Sequence, residues 1–260
     1  MNGRVITSLN NPTVKDVRAL HLRKAREESG RFLAEGLKIV TEAVELGRRP
    51  RLLLHSAEAA SHPLLKRAAA AADETLEVSP AILAKISRRD NPQTVLGVFD
   101  QAFTPLEALE PAAARCWVAL QAVRDPGNLG TIVRTADAAG CGAVILVGDC
   151  CDPYSVEAVR ATMGSIFAVR IARADVGAFV AWRRTWPGSV AGTLLTATTD
   201  FRAAPYRAPT LILMGNEQAG LSPELTAICD VNVKIPMRGR ADSLNLAVAT
   251  GIMIYVLSEA

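Results

Sequence analysis

The sequence predicts an α/β protein in two parts, the second built on a mostly parallel sheet with helices on both faces. Three observations carry this expectation. Short apolar strands alternate with helical segments along nearly all of the 260 residues. The later strands are apolar at consecutive positions, as in "WVALQAV" (117–123), "AVILVG" (143–148) and "TLILMG" (210–215), which suits strands buried on both faces. Between them and the first part, "TPLEALEPAAAR" (104–115) carries two prolines and three successive alanines, the composition of a connector. The expected division is a smaller α/β domain at 1–103, a linker at 104–115 and a second domain at 116–260.

In the first part, Val14 to Arg26 has helical spacing, "RFLAEG" reads as a strand, and Leu37 to Leu46 as a helix ended by Gly47. "RLLLH", "LEVS" and "TVLGVFD" read as strands, with helices at Pro63–Ala72 and Pro80–Ile86. In the second part, "DPGNLG" (125–130) reads as a turn before a helix at Thr131–Ala139, closed by Gly140. Helices follow at Ser155–Phe167 and Val176–Trp186, separated by a strand "AVRIA" (168–172). "VAGTLL", "TLILMG" and "VNVKIP" complete the strands, and Leu246–Leu257 forms a last, apolar helix.

Composition narrows the class. No apolar window approaches the roughly 20 residues that cross a bilayer, so no membrane association is expected. Residues 1–10 lack an apolar signal core, and the five cysteines form no CxxC pair, which suits a reducing cytoplasm and no metal. A net charge of +3 neither requires nor excludes nucleic acid. From Lys15 to Arg31, however, six basic residues (Lys15, Arg18, Arg23, Lys24, Arg26, Arg31) face three acids at helical spacing. They form either a solvated helix face or a surface that contacts phosphates.

Chemistry-bearing residues gather where apolar strands end. After "WVALQAV", Gly127 and Gly130 permit close backbone approach, Asn128 offers donors and an acceptor, and Arg134 is expected in the first turns of the next helix, adding a cation to amides that face an anion. After "TLILM", Gly215 ends the strand, Glu217 sits in the turn, and Ser222 caps a helix begun by Pro223. A carboxylate there needs a partner such as Arg134. After "VNVKI", Pro236 marks the strand's end, and Ser243 or Asn245 caps the final helix. No GxGxxG follows a strand, which disfavours a nucleotide-dependent oxidoreductase.

Taken together, "NLGTIVRTADAAG", "LILMGNEQAGLS" and "IPMRGRADSLNLAVATGI" resemble motifs one, two and three of the SpoU (TrmH-like) RNA ribose 2′-O-methyltransferases. Upstream, "ITSLNNPTVKDVRAL" and "RFLAEGLKIVTEAVELG" resemble the substrate-binding domain of rRNA-directed members. The resemblance implies S-adenosylmethionine as cofactor, a deep trefoil knot in the C-terminal domain, a homodimer with sites near the subunit contact, and RNA as substrate, rRNA in preference to tRNA. It implies cofactor contacts near Met214, Gly215, Ile235, Met237 and Leu244, and a catalytic set of Asn128, Arg134, Glu217, Ser243 and Asn245. An RNA-binding or assembly protein of the same fold without turnover is the alternative from another class.

Overall fold

The computed structural model describes residues 5–259; residues 1–4 and 260, at the outer ends of the two expected domains, lie outside them. The chain packs as two compact units. One runs to Gln101 and also takes Asp152–Ala168, and the other holds Ala102–Cys151 and the described chain from Val169 onward.

The first unit begins with α1 (Pro12–Ala19), capped by the Asn11 side chain, which accepts from the Val14 N–H. The single helix expected over Val14–Arg26 is broken, because α2 (Arg23–Ser29) starts only after an extended Leu22. Arg26 accounts for the break. It turns inward, 3 % exposed, to bind Asp152 at 2.7 Å and the Leu20 carbonyl, which a continuous helix would have committed to its own backbone. Then come β1 (Arg31–Glu35), α3 (Leu37–Glu45), β2 (Leu52–His55), α4 (Pro63–Ala71), β3 (Thr75–Glu77), α5 (Pro80–Ser87) and β4 (Val95–Asp100). The sheet order is β1-β4-β2-β3, with β4 antiparallel to both neighbours and β2 parallel to β3. Val14 and Val17 of α1 meet Ile82, Leu83 and Ile86 of α5 over Leu33, Leu54 and Leu96 of the sheet.

The second unit opens with β5 (Cys116–Gln121) and α6 (Pro126–Ala138). The expected turn "DPGNLG" is in fact the start of α6, because the Asp125 carboxylate caps the helix by accepting from the Asn128 N–H at 2.5 Å. There follow β6 (Val144–Val147), then α7 (Val156–Thr162), which belongs to the first unit. The helix expected to reach Phe167 stops at Met163, whose backbone is left-handed (φ 52°), and a 3₁₀ turn over Ser165–Phe167 follows. This segment stacks Tyr154 and Phe167 on Phe32, at 4.7 and 5.6 Å between ring centres.

The strand expected at 168–172 forms later, as β7 (Ile171–Ala174). It is followed by α8 (Val176–Arg183), β8 (Val190–Thr193), β9 (Thr199–Asp200), β10 (Thr210–Met214), α9 (Pro223–Ala227), β11 (Val231–Lys234) and α10 (Leu246–Glu259). The two-residue β9 carried no signal in the sequence. The seven-stranded sheet runs β7-β6-β5-β10-β8-β11-β9, and every pairing in it is parallel, as the doubly apolar strands predict. Its core holds Trp117, fully buried and edge-on to Trp186. A Cβ on Gly142 would lie 2.2 Å from the Trp117 ring, so packing accounts for that glycine.

Candidate active site

Parallel pairing sends the loops after β5, β8, β10 and β11 off the same edge of the sheet. They and the start of α10 enclose a cleft of about 750 Å³. Met214, Gly215, Ile235, Met237 and Leu244 all line it, as do Asn128, Glu217, Ser243 and Asn245; Arg134 does not.

The loop after β10 is a closed knuckle. Asn216 and Gly220 exchange backbone hydrogen bonds at 3.0 and 2.9 Å, and Asn216 Oδ1 accepts from the N–H groups of Gln218 and Ala219. Asn216 Nδ2 donates to the carbonyl of Ala122, a residue held at φ 49° at the end of β5. A Cβ on Gly215 would fall 2.0 Å from the Gly220 carbonyl carbon, so the knuckle closes only over glycine. Ser222 caps α9, as the sequence predicts, and its backbone N–H donates to Gln121 Oε1 at 2.8 Å.

Glu217 accepts from the backbone N–H groups of Arg124 and Asp125 and from the side-chain amides of Asn128 and Asn216, each at 3.4 Å. The expected pairing of Glu217 with Arg134 does not form. Because α6 begins at Pro126, five residues earlier than expected, Arg134 lies in its third turn, about 9 Å along the axis from Asn128. Its side chain is exposed and has no hydrogen bond or ion pair among the described residues.

Asn245 connects the third loop to the first. Its Oδ1 accepts from the N–H groups of Ala247 and Val248, capping α10. Backbone N–H groups only donate, so the other side of the amide must be Nδ2, which donates to Asn128 Oδ1 at 2.9 Å. That in turn aims Asn128 Nδ2 at Glu217. Ser243 takes no part in capping; its hydroxyl donates to Asp242 Oδ1 at 3.1 Å.

The sequence reading missed Asn216 as the organiser of the knuckle, and it missed the loop after β8. Thr193, Leu194, Leu195 and Thr196 line the cleft, and Thr193 Oγ1 is buried with no partner among the described residues. The signal was present, since "VAGTLL" ends an apolar strand and the rule that found the other loops applies to it equally. Thiol chemistry has no support here: burial raises the pKa of Cys150 and Cys229, the latter to about 12.

A parallel α/β domain with glycine-bearing loops around a single-edge cleft defines a small-molecule site at the carboxyl ends of the strands. Residues 115–255 match the SpoU rRNA Methylase family and residues 11–97 match the MRM3-like substrate binding domain. The chain therefore belongs to the SpoU methylase family. It is 32 % identical over 252 residues to the 23S rRNA (guanosine(2553)-2′-O)-methyltransferase RlmP of Bacillus subtilis, covering 97 % of this chain and 98 % of that one. It is 31 % identical over 264 residues to a 23S rRNA (uridine(2479)-2′-O)-methyltransferase of Streptomyces viridochromogenes, covering 97 % and 91 %. A solved AdoMet-bound rRNA methyltransferase from Sinorhizobium meliloti superposes with a TM-score of 0.92 at 47 % identity, covering 98 % of this chain and 97 % of that one.

Proposed function

We propose that this protein transfers a methyl group from S-adenosylmethionine to a ribose 2′-hydroxyl of rRNA of the 23S type. The observation that carries the reading is the hydrogen-bonded line Asn245–Asn128–Glu217 on the wall of a cleft lined by all five expected cofactor residues. The cleft fits that cofactor. Met214, Ile235, Met237 and Leu244 offer apolar wall to an adenine, and Thr193 Oγ1 and the Gly215 loop backbone offer hydrogen bonds to its polar groups. When bound, S-adenosylmethionine supplies a methyl group on a positively charged sulfur.

The chain's own residues must align the ribose oxygen and stabilise the negative charge that grows on it. Glu217, which accepts four long hydrogen bonds, acts as a positioning residue that holds Asn128 and the two backbone loops in register. Arg134 binds the reacting ribose-phosphate and stabilises the forming alkoxide, since a guanidinium keeps its proton and suits that role better than that of a base. It does so across a contact between two copies of the chain. Its exposed position away from its own cleft supports this, as do the exposed Val248 and Tyr255 on α10, which packs against α6. The trefoil knot belongs to the same reading, supported by β10 lying between β5 and β8 while α10 returns to pack on α6, β5 and β10. By function, 1–103 is the RNA-binding domain, 104–115 the linker and 116–260 the catalytic domain, and the five free cysteines suit work in a reducing cytoplasm.

Incubating the protein with methyl-labelled cofactor and 23S rRNA, then mapping the label, tests the reading. Label on a ribose 2′-oxygen is expected; label on a base, or none, overturns it. Mixing inactive Arg134→Ala and Asn128→Ala proteins should restore about a quarter of wild-type activity if Arg134 works across copies of a dimer. No recovery would return Arg134 to its own chain's site.

A further inference from the structure

The first unit separates its cations into two groups. Most are tied to carboxylates: Arg23 to Glu27, Lys24 to Glu28, Arg31 to Asp100, Arg51 to Asp73 and Asp100, and Arg26 to the buried Asp152. Others have no ion pair or hydrogen bond from their side chains among the described residues: Arg48 and Lys66, each exposed, and the five residues Lys15, Arg18, Lys85, Arg88 and Arg89. All five line one cleft of about 660 Å³ between α1 and α5, where Asp90 is the single carboxylate.

Assembly of this cleft follows from the core. Val14 and Val17 bury one face of α1 against Ile82, Leu83 and Ile86 of α5, and the spacing leaves Lys15, Arg18 and Lys85 beside that contact. Arg88 ends α5 in a left-handed conformation (φ 55°, ψ 40°), a position that usually takes glycine. The floor is closed by His21, whose Nε2–H donates to the Ile86 carbonyl at 2.6 Å and whose pKa burial lowers. Cations at the end of α5 also suit its helix dipole, but that does not explain Lys15 and Arg18 on another helix, nor their common concavity. Five unpaired cations held around a hollow by two packed helices suit a ligand with several closely spaced negative charges and no requirement for base reading.

We propose that this cleft binds consecutive phosphates of the rRNA backbone and supplies much of the salt-dependent affinity of the protein for its substrate. The inference rests on the rRNA methyltransferase reading above. It also changes the basic run read from the sequence: four of those six residues are engaged internally, and the two that remain free act with three others some 70 residues further on.

The test uses the full chain and protein-free 23S rRNA, with binding measured across a salt series. Arg18→Glu/Lys85→Glu removes charge from the cleft; Arg48→Glu/Lys66→Glu makes the same change at two exposed cations outside it. The cleft variant should lose roughly tenfold or more in affinity, and its slope of log K against log salt should flatten by about 1.4 to 1.8, the share of two phosphate contacts. The control variant should keep the wild-type slope. Equal losses in both variants, or none in the cleft variant, would overturn the proposal. Arg18→Gln/Lys85→Gln, with S-adenosylmethionine binding followed by calorimetry, gives the same reading should the reversed charges impair folding. A wild-type protein that binds rRNA through this cleft but transfers no methyl group would sink the proposed activity and leave the cleft standing.

Discussion

The two sheets of this protein are built from similar material, short apolar strands separated by helices, yet they serve different ends. In the seven-stranded sheet every strand points the same way, so loops from strands far apart in sequence meet at one edge and make a site. In the four-stranded sheet β4 runs against its neighbours, loops leave from both edges, and the binding surface proposed there comes from helix flanks instead. The polar chemistry divides accordingly. Amides and backbone N–H groups gathered on one exposed carboxylate, Glu217, organise the cleft of the second unit, while arginine–carboxylate pairs organise the first. Amides can fix an orientation at modest desolvation cost, which suits a site, whereas buried charge is worth having only when fully paired.

The largest effect should come from breaking that pairing. Arg26→Leu leaves the Asp152 carboxylate buried without its cation and should lower the folding free energy by about 3–5 kcal/mol, read from denaturant unfolding. A loss under 1 kcal/mol would mean that solvent reaches Asp152. Next in size is Asn245→Asp, which keeps an oxygen to cap α10 but turns a second oxygen toward Asn128 Oδ1. Asn128 cannot rotate its amide to satisfy both the new carboxylate and Glu217, so kcat should fall about 100-fold with little change in thermal stability. An unchanged kcat would show that the amide line is packing rather than positioning. Smallest is Arg23→Ala, which removes an exposed pair one helical turn apart and should cost less than about 0.5 kcal/mol in the same unfolding experiment.

Much of the site was legible in the sequence for a simple reason. Loops that follow apolar strands in a parallel sheet share an edge, and the resemblance of three motifs to the SpoU family singled out Asn128, Met214, Gly215, Glu217, Ile235, Met237, Ser243, Leu244 and Asn245, all of which line the cleft. The same rule went unapplied to the end of β8, and Thr193 was missed. The place of Arg134 along its helix was not legible for a local reason: "DPGNLG" has the composition of a turn, but the Asp125 cap starts the helix five residues earlier, at Pro126.

By itself the sequence determined the α/β class, the buried character of the second sheet, most element boundaries and the glycine-bearing loops, because periodicity and turn chemistry are local properties of the chain. Only the tertiary structure decided which partners those elements meet. It put β5 beside β10, closed Asn245 onto Asn128 across 117 positions, sent Arg26 inward to Asp152 across 126, and returned Asp152–Ala168 to the first unit. Periodicity says which face of an element is apolar and nothing about what will cover it. Whether a charged side chain ends up paired, buried or free beside a cleft depends on contacts between residues far apart in the chain, and these form only when the whole core closes.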